Sequence, residues 1–167
     1  MRVREATRAD ADLLFELIKE LAEYERLSDQ VRGDARLLEE SIFDRRAAEA
    51  LVIEVDGEPA GYAIFFTTFS TFECRPGIWL EDLYVRPALR RRGIGRAVLA
   101  QIAEIALERD CARLEWVALD WNEPALSFYD SLGAARIEEW QALRLEGEAL
   151  RRLGARSGGG QGLLEGR

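Results

Sequence analysis

Charged residues of two kinds stand close together in the middle of the chain and could act jointly on a substrate. Glu81 and Asp82 interrupt an apolar run over residues 78–85, where a carboxylate is costly unless it has a partner or a function. An arginine- and glycine-rich segment, residues 90–96, follows and opens a predicted helix. Unpaired backbone N–H groups and the helix dipole make such a helix start attractive to anions. The sequence therefore predicts an anion site beside an acidic pair.

The glycine pattern of this segment is short, and two common phosphate-binding motifs do not match it. A dinucleotide fingerprint requires a third glycine where Val98 stands, and a Walker A loop requires a Gly-Lys-Ser/Thr sequence. The alternative interpretation is a basic helix start in which glycine serves close packing.

Strand geometry makes a separate prediction for the acidic pair. Successive side chains of a strand point to opposite faces, so Glu81 and Asp82 are expected on opposite sides of the sheet. One of them is expected to face a cleft and the other the opposite layer or a partner, and for Asp82 we expect a structural pair with an arginine.

Composition narrows the classes of function. The 167 residues include 31 acidic and 23 basic side chains, for a net charge of −8. This charge argues against nucleic acid as a main partner and suits a cationic one, although acidity for solubility alone fits equally well. Because the chain has no histidine, Ser-His, Cys-His and His-metal mechanisms are excluded within it. Cys74 and Cys111 form neither a disulfide framework nor a metal-ligand spacing, and we expect no metal.

The first residues are polar, and no apolar run approaches the roughly 20 residues of a membrane span. We therefore expect no secretory leader, no membrane partner and a cytoplasmic location.

Hydrophobic periodicity and turn residues predict the elements that position these groups. The predicted strands cover residues 2–6, 48–55, 60–69, 78–85, 113–119, 134–140 and 142–145. The predicted helices cover residues 11–27, 35–43, 93–109, 125–132 and 148–153. Strand 113–119 is expected to run parallel to strand 78–85 through a βαβ crossover. We expect one domain over residues 1–153 and a disordered tail over residues 154–167.

Several short strings in this order resemble the GNAT superfamily of N-acetyltransferases. The acetyl-CoA pyrophosphate motif of that family is Arg/Gln-x-x-Gly-x-Gly/Ala, and this chain has Arg90-Arg91-Arg92-Gly93-Ile94-Gly95. Tyr24-Glu25, Leu80-Glu81-Asp82 and the string Trp121-Asn122-Glu123-Pro124 with Phe128-Tyr129 are similar to the diamine (spermidine/spermine and thialysine) acetyltransferase branch. The resemblance covers about residues 2 to 153. It implies an α+β GNAT fold: a mixed, mostly antiparallel sheet, split at a V-shaped cofactor cleft, with helices on both faces.

The resemblance also implies roles for individual residues. The backbone of Leu83, Tyr84 and Val85 would bind the pantetheine and acetyl groups, and Asn122 would contact the cofactor arm. The pyrophosphate would be held by the turn that comprises Arg90, Arg91, Arg92, Gly93, Ile94, Gly95 and Arg96.

The same resemblance implies which residues bind the acceptor and which transfer protons. Tyr24 and Glu25 would bind the acceptor, and Glu81 would bind its amine and take the proton, through water. Tyr129 would protonate the departing thiolate. The alternative for Tyr129 is an aromatic core position beside Phe128, and the alternative for Glu25 is a solvated helix end.

The implied reaction is transfer of an acetyl group from acetyl-CoA to a primary amine of a small cationic acceptor. That acceptor would be a polyamine, a diamine or a thialysine-like compound, and the amine would attack directly in a ternary complex of a homodimeric enzyme. The alternatives are a GNAT enzyme for another amine (an amino acid, an aminoglycoside or a protein N-terminus) and a non-catalytic acyl-CoA sensor.

Overall fold

The computed structural model describes residues 1–156, so most of the predicted tail lies outside the described residues. The chain divides into two compact units, one over Met1–Ala118 and one from Leu119 onward. Each is described by itself.

A five-stranded sheet with the order β1-β2-β3-β4-β5 organises the first unit. The strands are β1 (Arg2–Glu5), β2 (Glu49–Val55), β3 (Glu58–Ser70), β4 (Arg75–Val85) and β5 (Leu114–Glu115). The first four are antiparallel neighbours, and β5 is parallel to β4. The predicted mixed, mostly antiparallel α+β fold is confirmed.

A tight turn at Asp56 and Gly57 joins β2 to β3. Both residues have positive φ, +55° and +86°, as the two-residue hairpin turn that fits strand twist requires. The Asp-Gly signal in the sequence therefore located this hairpin correctly.

Strands β2 and β3 are buried on both faces, because helices cover the sheet. Helix α1 (Ala11–Tyr24) and helix α2 (Ala35–Glu39), which a π-helical turn over Glu40–Asp44 extends, contribute Leu14, Leu17 and Ile42 to one core. Helix α3 (Ile94–Glu108) buries a second apolar stripe that includes Val98 and Ile102. The helices predicted from apolar periodicity are therefore present in this unit.

The second unit contains two helices, α4 (Glu123–Asp130) and α5 (Gly147–Arg156). The strands predicted over residues 134–140 and 142–145 are wrong, because this stretch joins no sheet ladder among residues 1–156. Its apolar side chains are left exposed, with Trp140 at 76% and Leu143 at 91%. An alternating pattern forms a strand only where a neighbouring strand can pair with it.

Strand β5 is much shorter than the predicted 113–119. It pairs only through Leu114 with Ile78 and Glu115 with Trp79. The ladder ends just before β4 becomes irregular at Glu81, so the sheet opens between β4 and β5 from that point.

Candidate active site

A β-bulge at Glu81 shapes the site. Ile64 of β3 lies opposite Asp82, whereas the next residue, Phe65, lies opposite Leu80, so Glu81 is the extra residue of β4. A bulge bends the strand and redirects its side chains. As a result Glu81 and Asp82 both line the same pocket, and the expectation that they occupy opposite sides of the sheet is wrong.

The pocket has a volume of about 510 Å³ and lies between β4, the end of α1 and the start of α2. Apolar side chains such as Phe15, Ile18 and Leu37 form part of its wall. The carboxylates of Glu25, Glu81 and Asp82 are also part of its lining. A pocket with an apolar wall and converging carboxylates suits an aliphatic cation.

Asp82 is held by Tyr62 and not by an arginine, which corrects the partner expected from the sequence. The Tyr62 hydroxyl donates to Asp82 Oδ2 at 2.9 Å. Burial raises the pKa of Asp82, the hydroxyl bond lowers it in part, and the nearby Glu81 charge raises it again. The same burial and the Asp82 charge raise the pKa of Tyr62, so this phenol stays a proton donor to the carboxylate.

Glu25 caps the C-terminus of α1 and reaches the pocket from the opposite wall. Burial, followed by the charge of Asp82, raises the pKa of its carboxyl. A buried carboxylate whose pKa is raised by a neighbouring carboxylate is stabilised when a cation binds beside it. The predicted acceptor role of Glu25 fits this placement, and the alternative of a fully solvated helix end does not.

Glu81 is exposed at the pocket edge and accepts a hydrogen bond from Trp79 Nε1 at 2.9 Å. An exposed carboxylate held in one orientation can exchange protons with water and still contact a bound amine. Asp82 is the pocket residue whose hydrogen-bond partner and side of the sheet were predicted wrongly from the sequence. Local residue types do not indicate the bulge, because it depends on the register of β3 against β4.

Tyr24 lies elsewhere. Its ring packs under the Arg90 guanidinium, 4.1 Å from Arg90 Cζ to the ring centroid, and it is not among the pocket-lining residues. The structure therefore places Glu25, but not Tyr24, with the pocket carboxylates.

The turn before α3 has the backbone of an anion site. Arg91 and Gly93 both adopt positive φ, +63° and +77°, and α3 begins at Ile94. Such alternation of left- and right-handed residues turns successive N–H groups toward one concavity. Among the residues that the structure describes, the exposed side chains of Arg91, Arg92 and Arg96 form no ion pair, so their charge adds to this field.

Arg90 differs from the other arginines of the turn. Its Nε donates to the Val85 carbonyl at 2.9 Å, and its guanidinium covers Tyr24 and, at 5.7 Å, Tyr84. Arg90 thus connects the turn to the end of β4 and to α1. Its predicted contact with the pyrophosphate would require its side chain to give up these contacts.

Beyond Trp79 the backbone of β4 has no ladder partner on its β5 side within the first unit. Arg86 N–H donates to the Ala60 carbonyl of β3, and backbone groups alternate along a strand. The groups of Tyr84 therefore point toward β3, and those of Leu83 and Val85 point into the opening. Of the three residues predicted to bind the cofactor through the backbone, Leu83 and Val85 have groups on this side, and the Val85 carbonyl there already accepts from Arg90 Nε.

An ion pair fixes the end of β4 against α1. Glu20 accepts from Arg86 Nη2 at 2.8 Å and from the Tyr84 hydroxyl at 3.2 Å. The sequence argument missed this contact because it joins residues far apart in the chain.

Asn122 and Tyr129 belong to the second unit. Asn122 precedes α4, and its carbonyl accepts from the backbone N–H of Leu126 at 3.0 Å. The half-buried Tyr129 lies in the same helix, with its ring centroid 5.3 Å from that of Phe128. Their predicted roles, cofactor contact and general acid, stay predictions.

Neither a metal site nor a membrane-spanning helix is found in residues 1–156. No group of three or more His, Cys, Asp or Glu side chains in this range could hold a metal ion. Within the same range, no helix has both the length and the apolar character needed to cross a membrane.

Known proteins resemble this chain in sequence and in fold. Residues 14–134 match the family model described as "Acetyltransferase (GNAT) family". A thialysine N-epsilon-acetyltransferase of Bos taurus is 39% identical over 163 residues, 90% of this chain and 95% of that protein. An L-ornithine N5-acetyltransferase of Arabidopsis thaliana is 26% identical over 91% of this chain and 87% of its own length. Among solved structures, an integron cassette protein of V. cholerae superposes with a TM-score of 0.77 at 25% identity, covering 92% of this chain and 96% of that one.

Proposed function

The chain belongs to the acetyltransferase (GNAT) family and is an N-acetyltransferase, and we propose that it transfers the acetyl group of acetyl-CoA to a primary amine of a small cationic acceptor. The acceptor class comprises polyamines, diamines and thialysine-like compounds. The convergence of Glu25, Glu81 and Asp82 on one pocket carries this proposal.

The carboxylates would attract an ammonium group and orient it. Burial raises the pKa values of Glu25 and Asp82, and a nearby carboxylate raises each of them further: Asp82 that of Glu25, and Glu81 that of Asp82. A bound cation therefore relieves an unfavourable interaction. The apolar wall would accept the methylene groups between the charged ends of such an acceptor.

Only a neutral amine can attack a thioester, so the bound ammonium must lose a proton. In the proposed reaction Glu81 takes that proton through water, because its carboxylate is exposed and held by Trp79 at the pocket edge. The amine nitrogen then bonds to the acetyl carbon, and the bond between that carbon and sulfur breaks.

Residues of the β4 edge and the α3 turn fit the donor acetyl-CoA, which supplies an acetyl group activated as a thioester. The backbone groups of Leu83 and the N–H of Val85 would bind its amide arm and polarise the acetyl carbonyl. The concave turn from Arg91 to Gly93, with Arg91, Arg92 and Arg96, would hold the pyrophosphate.

Tyr129 completes the proposal as the acid that returns a proton to the thiolate, and Asn122 as a contact of the cofactor arm. Both assignments rest on the resemblance of the α4 string to the diamine branch. Direct transfer in a ternary complex is proposed because a covalent acyl-enzyme needs an activated nucleophile. The chain has no histidine, Cys111 is buried, and the exposed Cys74 does not line the pocket. A homodimer is expected from the same resemblance, and a cytoplasmic location remains the expectation from the sequence.

A panel of acceptors tests the proposal. Release of free CoA is measured with acetyl-CoA and equal concentrations of polyamines, diamines, lysine-like amino acids, an aminoglycoside and a peptide N-terminus. Small cationic acceptors should give the highest kcat/KM. Preference for the aminoglycoside or the peptide would overturn the acceptor class, and turnover without an acceptor would show hydrolysis instead of transfer.

A further inference from the structure

Tyr62 connects the buried core to the acceptor pocket. It lies on β3 opposite Tyr84 of β4, and Ile64, two residues further along β3, lies opposite Asp82. Tyr62 and Asp82 are therefore diagonal neighbours on one face of the sheet, a separation that a long side chain can span. From this position the Tyr62 hydroxyl donates to Asp82 Oδ2 at 2.9 Å.

Close packing fixes the ring of Tyr62. The side chain has an exposed fraction of 0% and lies in the core cluster with Leu14 and Leu17 of α1. Its ring lies against that of Tyr84, with the two centroids 6.3 Å apart and the planes tilted by 48°. Neighbours packed at this density leave no room for another rotamer. The core therefore determines where the Tyr62 hydroxyl lies.

The hydrogen bond in turn fixes the orientation of Asp82. It engages Oδ2, and an ionised carboxylate has two oxygens with about four acceptor sites, so Asp82 can still accept from an ammonium group. Because the Tyr62 hydroxyl cannot move away, Asp82 has a defined orientation while it lines the pocket. A carboxylate that is already oriented loses less conformational freedom when a ligand binds.

The same bond affects the charge of Asp82. Burial raises the pKa of this carboxyl, whereas the bond from Tyr62 lowers it. Removal of the hydroxyl would leave the effects of burial and of Glu81 unopposed, so the pKa of Asp82 would rise further. A protonated Asp82 no longer attracts an ammonium group.

Other charged groups also face Asp82 across the pocket. They are Glu25 at the end of α1, Glu81 beside it on β4, and Arg32 and Asp34 in the loop before α2. A substitution at Tyr62 alters none of these side chains. Loss of the hydroxyl therefore acts first on Asp82.

We propose that Tyr62 is a positioning residue for the acceptor amine, because its hydroxyl holds the Asp82 carboxylate in the orientation that receives the ammonium group. Tyr62 is not among the pocket-lining residues, so it acts through Asp82 and not by contact with the acceptor. The assignment deepens the proposed function and rests on it.

Tyr62→Phe tests the assignment because it removes the hydroxyl and keeps the ring. With saturating acetyl-CoA and cadaverine as acceptor, we expect the acceptor KM to rise about 3- to 10-fold at neutral pH, with little change in KM for acetyl-CoA. The pH below which the acceptor KM rises should also move to a higher value, because Asp82 then becomes protonated at a higher pH. A general loss of stability would not produce this selective change.

Tyr84→Phe is the matched control for the pH dependence. Tyr84 lies in the same core cluster, and its hydroxyl also donates to a carboxylate, Glu20 Oε2 at 3.2 Å. Glu20 does not line the pocket, so the pH below which the acceptor KM rises should stay at its wild-type value. The same displacement of this pH in both variants would overturn the assignment.

A double-mutant cycle tests whether Tyr62 acts through Asp82. If it does, the addition of Tyr62→Phe to Asp82→Asn should change the acceptor KM by less than about twofold. An equal effect of Tyr62→Phe in the wild-type and Asp82→Asn backgrounds would show that Tyr62 acts by another route and would reject the assignment.

Calorimetric titration of cadaverine, with CoA present, separates this assignment from the proposed reaction. Binding that is weaker in Tyr62→Phe than in the wild type and in Tyr84→Phe supports the role of Tyr62 even if no acceptor is acetylated, in which case the proposed reaction alone fails. Equal affinity in the wild type and Tyr62→Phe would rule out the role of Tyr62, whatever the turnover.

Discussion

Burial, and not a nearby cation, sets the protonation of the pocket carboxyls. Asp82 is enclosed between Tyr62 and the pocket, and Glu25 faces it. Both have pKa values raised above the ordinary carboxyl range, so they begin to lose their charge at a pH where an exposed carboxylate would still be ionised.

The pH dependence of acceptor binding follows from this direction. As the pH falls, Glu25 and Asp82 become protonated and lose their attraction for the ammonium group, so KM for a cationic acceptor should rise. The rise should begin above pH 4.5, the ordinary value for a glutamate. In Asp82→Asn we expect about a 10-fold higher KM at neutral pH and a weaker pH dependence. The second effect arises because one titrating group is removed and the charge that raises the pKa of Glu25 is lost.

Steady-state kinetics across pH measure this prediction, with Asp12→Asn as control because Asp12 is exposed in the first turn of α1. A KM for Asp82→Asn that equals the wild-type value at every pH would remove Asp82 from the acceptor site.

Among the elements, the strand-to-helix connection from β4 to α3 combines two irregularities with different functions. The bulge at Glu81 brings adjacent carboxylates to one pocket. The positive φ values of Arg91 and Gly93 turn successive backbone N–H groups toward one concavity at the start of α3. A regular strand followed by a regular helix would provide neither.

Gly93→Ala tests the turn. No atom lies within 4 Å of an added Cβ, but φ is +77°, so the substitution strains the backbone by about 1 kcal/mol without a clash. If the turn relaxes to relieve that strain, the N–H groups leave the concavity, and we expect KM for acetyl-CoA to rise about 10-fold.

Gly57→Ala is the control because Gly57 also has positive φ, +86°, and open space around its Cβ, but lies in the β2–β3 hairpin. Both variants should lose similar stability in urea unfolding, whereas Gly93→Ala alone should affect acetyl-CoA. An unchanged KM for acetyl-CoA would show that the turn does not bind it.

For the molecule as a whole, the net charge of −8 favours encounter with cations. The pocket carboxylates concentrate this field at one place, and dissolved salt screens it. We expect kcat/KM for a doubly charged diamine to fall several-fold between 20 and 200 mM salt, with a smaller decrease for lysine, which has a lower net charge. Initial rates at several salt concentrations measure this, and equal slopes for both acceptors would contradict electrostatic attraction.

Local signals predicted much of the fold, whereas long-range contacts were not predictable. Asp56-Gly57 located a hairpin, and the arginine–glycine segment located the start of α3, because turns and helix caps depend on neighbouring residues. The pairing of Tyr62 with Asp82 depends on the register of β3 against β4, which periodicity does not determine. The stretch around Trp140 has the alternation of a strand but no ladder among the described residues.

The candidate site was predictable to a similar extent. Glu25, Glu81 and the turn before α3 follow from residue types and short strings. Placement of Asp82 required the bulge, and placement of Arg32 required the fold of the loop between α1 and α2 around the pocket.

The acetylation kinetics of Glu81→Gln test the central claim most directly, namely that an amine held by the pocket carboxylates is deprotonated there before it attacks. With saturating acetyl-CoA, we expect a higher acceptor KM, a kcat reduced about 10²-fold or more, and a pH–rate profile shifted to alkaline pH, because the amine must then lose its proton to solvent. Glu23→Gln, an exposed position on α1, should behave as wild type. An unchanged pH profile and KM in Glu81→Gln would contradict the account.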